Sequence, residues 1–313
     1  MSNREKLAVG ADIGGTKTNI AIITKNGSIK ELKKIQTTAE NPEAIKDSLI
    51  KNITSLINGY DNIIGIGIAS AGRVIFKKKI IGYATDNLKD WTEYPLVEQL
   101  KNEFELPVFI DNDVNAALLS EIKISDSLME KYNNIVFITI GTGLGGALAI
   151  DGKIIRGSTG SAGEFGHMLL YPGGKPCNCG KYGCAEQYIS GKAFKKRLKE
   201  KFKENLVSFD KGDLKDDIIQ REIKRDNVLY RSTLREMTED LALLLENLKN
   251  SFDFELCIFG GSFSAYSEIM LEIIRKEFEK YNHKYYKNPD FIFSEMGNKA
   301  GVIGAGLLVF EQI

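Results

Sequence analysis

Apolar and polar positions along the chain alternate between two periods, and the points where the period changes carry the chemistry. Leu7 to Ile13 is a short apolar run ended by Gly14 and Gly15, and Asn19 to Thr24 resumes the run, so residues 7–24 are predicted to form a β-hairpin. Asn41 to Asn58 places Ala44, Ile45, Leu49, Ile53, Leu56 and Ile57 at helical spacing, the pattern of an amphipathic helix. IIGIGIA at 63–69 reads as a buried strand that opens into Ser70-Ala71-Gly72-Arg73. Pro107 to Ile110 is another strand, followed by Asp111-Asn112-Asp113-Val114-Asn115 and an Ala-rich helical segment. Ile135 to Ile140 is a strand running into Gly141-Thr142-Gly143-Leu144-Gly145-Gly146, which repeats the strand, glycine turn, strand logic of residues 7–24.

The later part of the chain is richer in helix. Gly191 to Asn205 is a basic amphipathic helix with Phe194, Leu198 and Phe202 on one face, and residues 206–250 are predicted to continue as helices with a stripe of Leu241, Leu244, Leu245 and Leu248. Leu256 to Phe259 is a strand carrying Cys257, read as an inert buried thiol. His283 in YNHKYY is read as a surface residue, and Ala300 to Phe310 as a Gly/Ala-rich helix.

Composition narrows the possibilities. At 313 residues the chain exceeds the roughly 250–300 at which a single core stops growing, so two lobes are expected. Its 42 basic and 42 acidic side chains cancel, which favours neither nucleic acid nor an anionic membrane surface as a partner. No apolar stretch reaches the length of a membrane span and the start, MSNREKLAVG, does not read as a signal peptide, so a cytoplasmic protein is expected.

The glycine turns are candidate phosphate cradles. In Asp12-Ile13-Gly14-Gly15-Thr16-Lys17 the glycines admit close backbone approach, Thr16 and Lys17 add donors, and the acid can help hold Mg²⁺. It is not a Walker loop, because the spacing differs and a strand follows; a plain hairpin turn is the other reading. The two acids and two amides at 111–115 offer a general base with hydroxyl-binding partners, or equally an N-cap and turn cluster. Arg73 reads either as a surface charge or as a ligand contact.

Three of the four cysteines, Cys177, Cys179 and Cys184, fall within eight residues, and one of the two histidines, His167, lies ten residues upstream. Three thiolates and an imidazole match a closed Cys₃His zinc site, with Gly180 and Gly183 turning the chain between ligands. Reduced thiols or a disulfide are the competing readings, and Cys-x-Cys is a poor spacing for pairing neighbours. Glu164 and Glu186 flank this set, as acceptors for the hydroxyls of a polyol or as solvated surface acids.

DIGGTKT at 12–18, NDVNAA at 112–117, GTGLGG at 141–146, EFGH at 164–167 and CNCGKYGCAE at 177–186 together resemble the ROK family of sugar kinases and regulators. The resemblance covers nearly the whole chain and implies the two-lobed α/β fold of the actin, hexokinase and Hsp70 group (ribonuclease H-like). It places an N-terminal lobe at 1–117, with the helix at 300–313 packed back on it, and a zinc-bearing lobe at 118–299. It makes Asp113 the base that deprotonates a sugar hydroxyl, with Gly72, Asn112, Glu164, His167 and Glu186 on other hydroxyls and His167 also on zinc. Asp12, Gly14, Gly15, Thr16 and Lys17 become the first phosphate turn, Gly141, Thr142 and Gly143 the second, and Gly260-Gly261 the adenosine motif, with Ser262 where many members have a third glycine. The implied cofactors are ATP, Mg²⁺ and structural Zn²⁺, and the implied assembly is a homodimer through the zinc-bearing lobe. ROK repressors carry an extra N-terminal DNA-binding module, for which the segment before Asp12 leaves no room. The Gly72-Arg73-Val74 segment, YATDNLKDW at 83–91 and YPLVEQL at 94–100 look like N-acetylmannosamine kinases, with Arg73 placed to meet the acyl group. The expected substrate is therefore N-acetylmannosamine, with glucose as the alternative and a non-catalytic sugar-binding regulator as a third reading.

Overall fold

The computed structural model describes residues 5–84, 88–281 and 287–313. His283 and residues 85–87 of the YATDNLKDW run lie outside them. In chain order the first elements are β1 (Leu7–Ile13), β2 (Lys17–Thr24), β3 (Ile29–Gln36), α1 (Pro42–Ile57), β4 (Ile63–Ser70), β5 (Arg73–Ile75) and β6 (Ile80–Tyr83). Then come α2 (Leu96–Phe104), β7 (Val108–Asn112), α3 (Asp113–Ile124), α4 (Asp126–Lys131), β8 (Ile135–Ile140), β9 (Leu144–Ile150) and β10 (Lys153–Ile154). The remainder is α5 (Gly191–Glu204), α6 (Asp216–Lys224), α7 (Val228–Phe252), β11 (Leu256–Gly260), α8 (Ser267–Tyr281), β12 (Asp290–Phe293) and α9 (Ala300–Gln312).

These elements form two compact units. The first takes the chain up to Lys131 together with Ala147–Gly163 and Asn298–Ile313; the second is Tyr132–Gly146 and Glu164–Gly297. A boundary after residue 117 would cut α3, whose residues Ala116 to Ile122 are all buried. The first unit therefore runs on through α4 and regains the chain in the middle of β9. Glycine stands at three of the crossings, and Gly163 and Gly297 adopt the positive φ that other residues avoid.

The first unit is built on a five-stranded sheet of order β3-β2-β1-β4-β7, antiparallel across β1, β2 and β3 and parallel from β1 to β4 to β7. Period-two alternation decides what each face buries. Val9, Ala11, Ile13, Ile20, Ile22, Ile66 and Ile68 join one core with Ile45, Leu49 and Ile53 of α1. The opposite face presents Ala8, Ala21 and Ile23 to Val302, Ile303, Leu307 and Leu308 of α9. Glycines in register on that face set how near α9 can come: a Cβ on Gly67 would sit 1.8 Å from the Ala305 carbonyl oxygen, and one on Gly10 2.2 Å from that of Val302. The glycines of IIGIGIA thus make a docking groove for the C-terminal helix.

The second five-stranded sheet has the order β10-β9-β8-β11-β12, with β11 parallel to both β8 and β12. In the second unit the helices bury the expected stripes: Phe194, Leu198 and Phe202 of α5, and Leu241, Leu244, Leu245 and Leu248 of α7. Helix is not continuous over 206–250. Between α5 and α6 the chain makes only a 3-10 turn at Gly212–Leu214, where the Asp210 side chain accepts the Gly212 N–H and so favours a turn over a helix.

Candidate active site and metal centre

In the first unit the site residues gather at the C-terminal ends of β1, β4 and β7. The β1–β2 connection is a tight hairpin turn in which the Gly14 N–H donates to the Lys17 carbonyl at 3.1 Å, leaving Thr16 and Lys17 exposed. Asp12, at the end of β1, has its carboxyl pushed up to about 6 by burial, partly offset by a hydrogen bond from Asn19. A Cβ on Gly301, at the start of α9, would lie 2.7 Å from Asp12 Oδ2, so glycine there leaves room for the carboxylate. A buried acid whose charge is disfavoured gains from a nearby cation, which fits the Mg²⁺ role considered for it.

The 111–115 cluster forms the N-cap of α3. Asn112 is the N-cap of α3: its Oδ1 accepts the N–H groups of Val114 at 2.9 Å and Asn115 at 3.2 Å. Its Nδ2 donates to the Gly72 carbonyl at 2.9 Å. One amide therefore ties the start of α3 to the turn after β4. That turn needs glycine, because Gly72 has φ of 101° and a Cβ there would sit 2.6 Å from the Tyr83 carbonyl oxygen. Asp113 occupies the first position of α3, where the positive end of the helix dipole favours a carboxylate, and its Oδ1 accepts the Val114 N–H at 3.0 Å. Arg73 has its guanidinium 5.6 Å from the Tyr83 ring centroid and its buried Nε without a partner. Arg156, not predicted as a site residue, contacts this cluster by pairing with Asp111 at 2.7 Å. A pairing across 45 residues leaves no local signal.

In the second unit Gly141 anchors two elements: its N–H donates to Gly143 at 3.0 Å and its carbonyl accepts the first N–H of α5, from Gly191, at 2.8 Å. Gly141 and Thr142 line a cavity with Gly191, Lys192, Phe263 and Tyr266. Ser262 also lines it, whereas Gly260 and Gly261 do not. Gly260 is the last residue of β11, paired with Thr139, and Gly261 makes the sharp exit at φ of 90°, where a Cβ would sit 2.4 Å from the Ile140 carbonyl oxygen. Gly143 lies under Glu186, whose Oε2 accepts the Leu144 N–H at 3.0 Å. Glu164 is exposed and opens the 3-10 turn Phe165–His167, its carbonyl accepting the His167 N–H at 3.0 Å.

The predicted metal ligands come together. One ligand atom from each of His167, Cys177, Cys179 and Cys184 lies within 4.8 Å of all the others. Cys177 Sγ is 3.7 Å from His167 Nδ1, and Cys179 Sγ is 3.5 Å from Cys184 Sγ. Those are the edges of a tetrahedron whose metal bonds are about 2.0–2.3 Å. All four cysteines of the chain are free, so no disulfide accounts for the cluster. Without a cation, burial and the neighbouring thiols push Cys184 up to about 12, a protonated state that a metal would reverse. The residues fit zinc. Gly180 and Gly183 make the turns with φ of 84° and 88°, and a Cβ on Gly183 would strike the Tyr171 carbonyl at 1.8 Å.

The profile of the ROK family matches residues 8–312, and the chain belongs to that family. It is 34% identical to a glucokinase of Streptomyces coelicolor over 97% of this chain and 98% of the relative. It is 29% identical to an N-acetylmannosamine kinase of Escherichia coli over 95% and 96% of the two chains. Among solved structures, a ROK glucokinase from Streptomyces griseus in complex with glucose and AMPPNP superposes with a TM-score of 0.84 at 30% identity, covering 97% of this chain and 99% of that one. The fold is accordingly the actin/hexokinase-like α/β fold. Among the described residues no helix is long and apolar enough to cross a membrane.

Proposed function

We propose that this protein is an ATP-dependent sugar kinase that phosphorylates the 6-hydroxyl of a hexose, with glucose as the favoured substrate. The observation that carries the reading is the Asn112 amide, which caps α3 and holds Gly72 at once, so that Asp113 stands at a fixed strand end. Asp113 removes the proton from the attacking hydroxyl, for which hydrogen-bond reach is sufficient. Asn112, Gly72, Glu164, His167 and Glu186 orient the remaining hydroxyls. The glycine turns at 14–15 and 141–143 receive the nucleotide phosphates, with Asp12 near their Mg²⁺, and the cavity beside Ser262 receives the adenosine. Asp12 would help hold Mg²⁺, which when bound would supply charge neutralisation at the phosphates for in-line transfer. His167, Cys177, Cys179 and Cys184 would hold zinc, and that ligation would fix the segment from which Glu164 and Glu186 project.

The choice of glucose over N-acetylmannosamine departs from the sequence reading and rests on the glucokinase relatives, which stand at 34% against 29% identity. One observation favours the N-acetyl sugar: Arg73 follows Gly72 directly and keeps a buried Nε without a partner, a donor that an acyl oxygen would satisfy. A homodimer through the zinc-bearing segment is supported by its exposed Leu169 and Tyr182, 51% and 60% accessible; a monomeric mass in light scattering would exclude it. A coupled ADP-release assay with ATP and Mg²⁺ tests the reading across glucose, fructose, mannose, N-acetylglucosamine and N-acetylmannosamine. Selective turnover of glucose is expected. Selective turnover of N-acetylmannosamine would move the assignment to that sugar, and silence on every sugar would leave a binding protein.

A further inference from the structure

Asp111 immediately precedes Asn112 and Asp113 in β7, and its side chain is 3% exposed. A carboxylate this far from water is costly unless every lone pair is used. Here they are used. Arg156 Nε donates to Oδ2 at 2.7 Å, while Oδ1 accepts the Asn112 N–H at 2.8 Å and Asn115 Nδ2 at 3.0 Å. Asn115 turns its NH₂ to Asp111 even though its own Oδ1 is then buried without a partner.

Arg156 is itself fixed from several sides. Its guanidinium carbon lies 3.9 Å from the Phe76 ring centroid, and Nη2 is 3.8 Å from the Glu311 carboxylate of α9. A buried ion pair kept only for stability can be replaced by apolar residues at little loss, so its presence asks for another reason. The partners of Oδ1 supply one: Asn112 and Asn115 stand on either side of Asp113. Whatever orients Asp111 therefore orients the strand end and the helix start between which Asp113 is held.

We infer that Arg156 is a positioning residue for Asp113, acting through Asp111. The inference rests on the reading of Asp113 as the catalytic base. Arg156 need not touch the sugar; it keeps the Asn112-Asp113 corner in register, and a shift of about 1 Å in a base costs on the order of 100-fold in rate. Lysine would restore the charge but not the planar Nε–H contact or the stacking on Phe76.

The test compares wild type, Arg156→Met, Arg156→Lys, Asp111→Asn and the double variant Arg156→Met/Asp111→Asn, in steady-state kinetics with ATP and the sugar turned over by wild type, alongside thermal unfolding. In folded Arg156→Met, kcat should fall roughly 10- to 100-fold while both KM values stay within about threefold, and Arg156→Lys should regain part of the loss. The double variant should be no slower than the slower single, because the two residues act as one unit. A folded Arg156→Met with kcat within about twofold of wild type, or a loss confined to KM, overturns the inference. Should Arg156→Met not fold, Asp111→Asn decides alone, since it keeps the side-chain shape: reduced kcat at unchanged KM supports the role, and unchanged kcat overturns it. Absence of turnover in wild type would defeat the kinase reading first and this inference with it, an outcome separate from an active wild type beside an equally active variant.

Discussion

Glu186 lies directly over Gly143: a Cβ on that glycine would meet Glu186 Oε2 at 2.5 Å, and the same oxygen accepts the N–H of Leu144 at 3.0 Å. The carboxylate at the end of the cysteine-rich segment is thus seated on the glycine turn of β8 and β9. Gly143→Ala should push Glu186 away and lose that hydrogen bond, worth about 1 kcal/mol. If Glu186 holds sugar, the variant should show a sugar KM raised roughly 10-fold with a modest fall in unfolding temperature, read by kinetics and calorimetry. A fall in stability with KM unchanged would assign Glu186 to structure alone.

Asp113→Asn should fold, because an amide oxygen can still accept the Val114 N–H that Asp113 Oδ1 accepts now. Sugar binding by titration calorimetry should survive, while kcat drops by a factor on the order of 10² to 10⁴, the usual share of a general base. Near-normal turnover would remove Asp113 from the mechanism.

Metal analysis of the purified protein should find one zinc per chain. Stripping it with a strong chelator, or replacing the buried Cys184 with serine, should lower the unfolding temperature, because a structural metal's binding energy is folding energy. A metal-free protein with unchanged melting and activity would refute the structural role.

Gly304→Ala tests the close approach of α9 to α3. The added Cβ would lie 1.7 Å from the Ala116 carbonyl oxygen, backbone against backbone, so α3 and α9 must separate. A destabilisation of about 1–3 kcal/mol or more is expected by denaturant titration. Gly59→Ala, whose nearest atom is 4.0 Å away, should stay within about 0.5 kcal/mol and serves as the control.

The sequence by itself determined what is local. Apolar runs in residues 7–24 and alternation at 63–69 determined the strands, the spacing of Phe194, Leu198 and Phe202 a helix face, and the clustered cysteines with His167 a four-ligand set. Each signal lies within a few turns of chain, where side-chain direction follows from the backbone period. The same range explains why the break before α6, where Asp210 and Gly212 make a turn, stands apart from the helices expected over 206–250.

Only the tertiary structure decided which distant residues meet. It showed that Asn112 is cap and Gly72 anchor together, that Ser262 and not Gly260 lines the cavity, and that α3 and residues 147–163 belong with the first compact unit. It also joined Arg156 to Asp111 and seated Glu186 on Gly143, pairings separated by 45 and 43 positions in the sequence. Such contacts are fixed by how sheets and helices stack, and by the glycines that set their distance of approach, for which no single stretch of sequence carries a period.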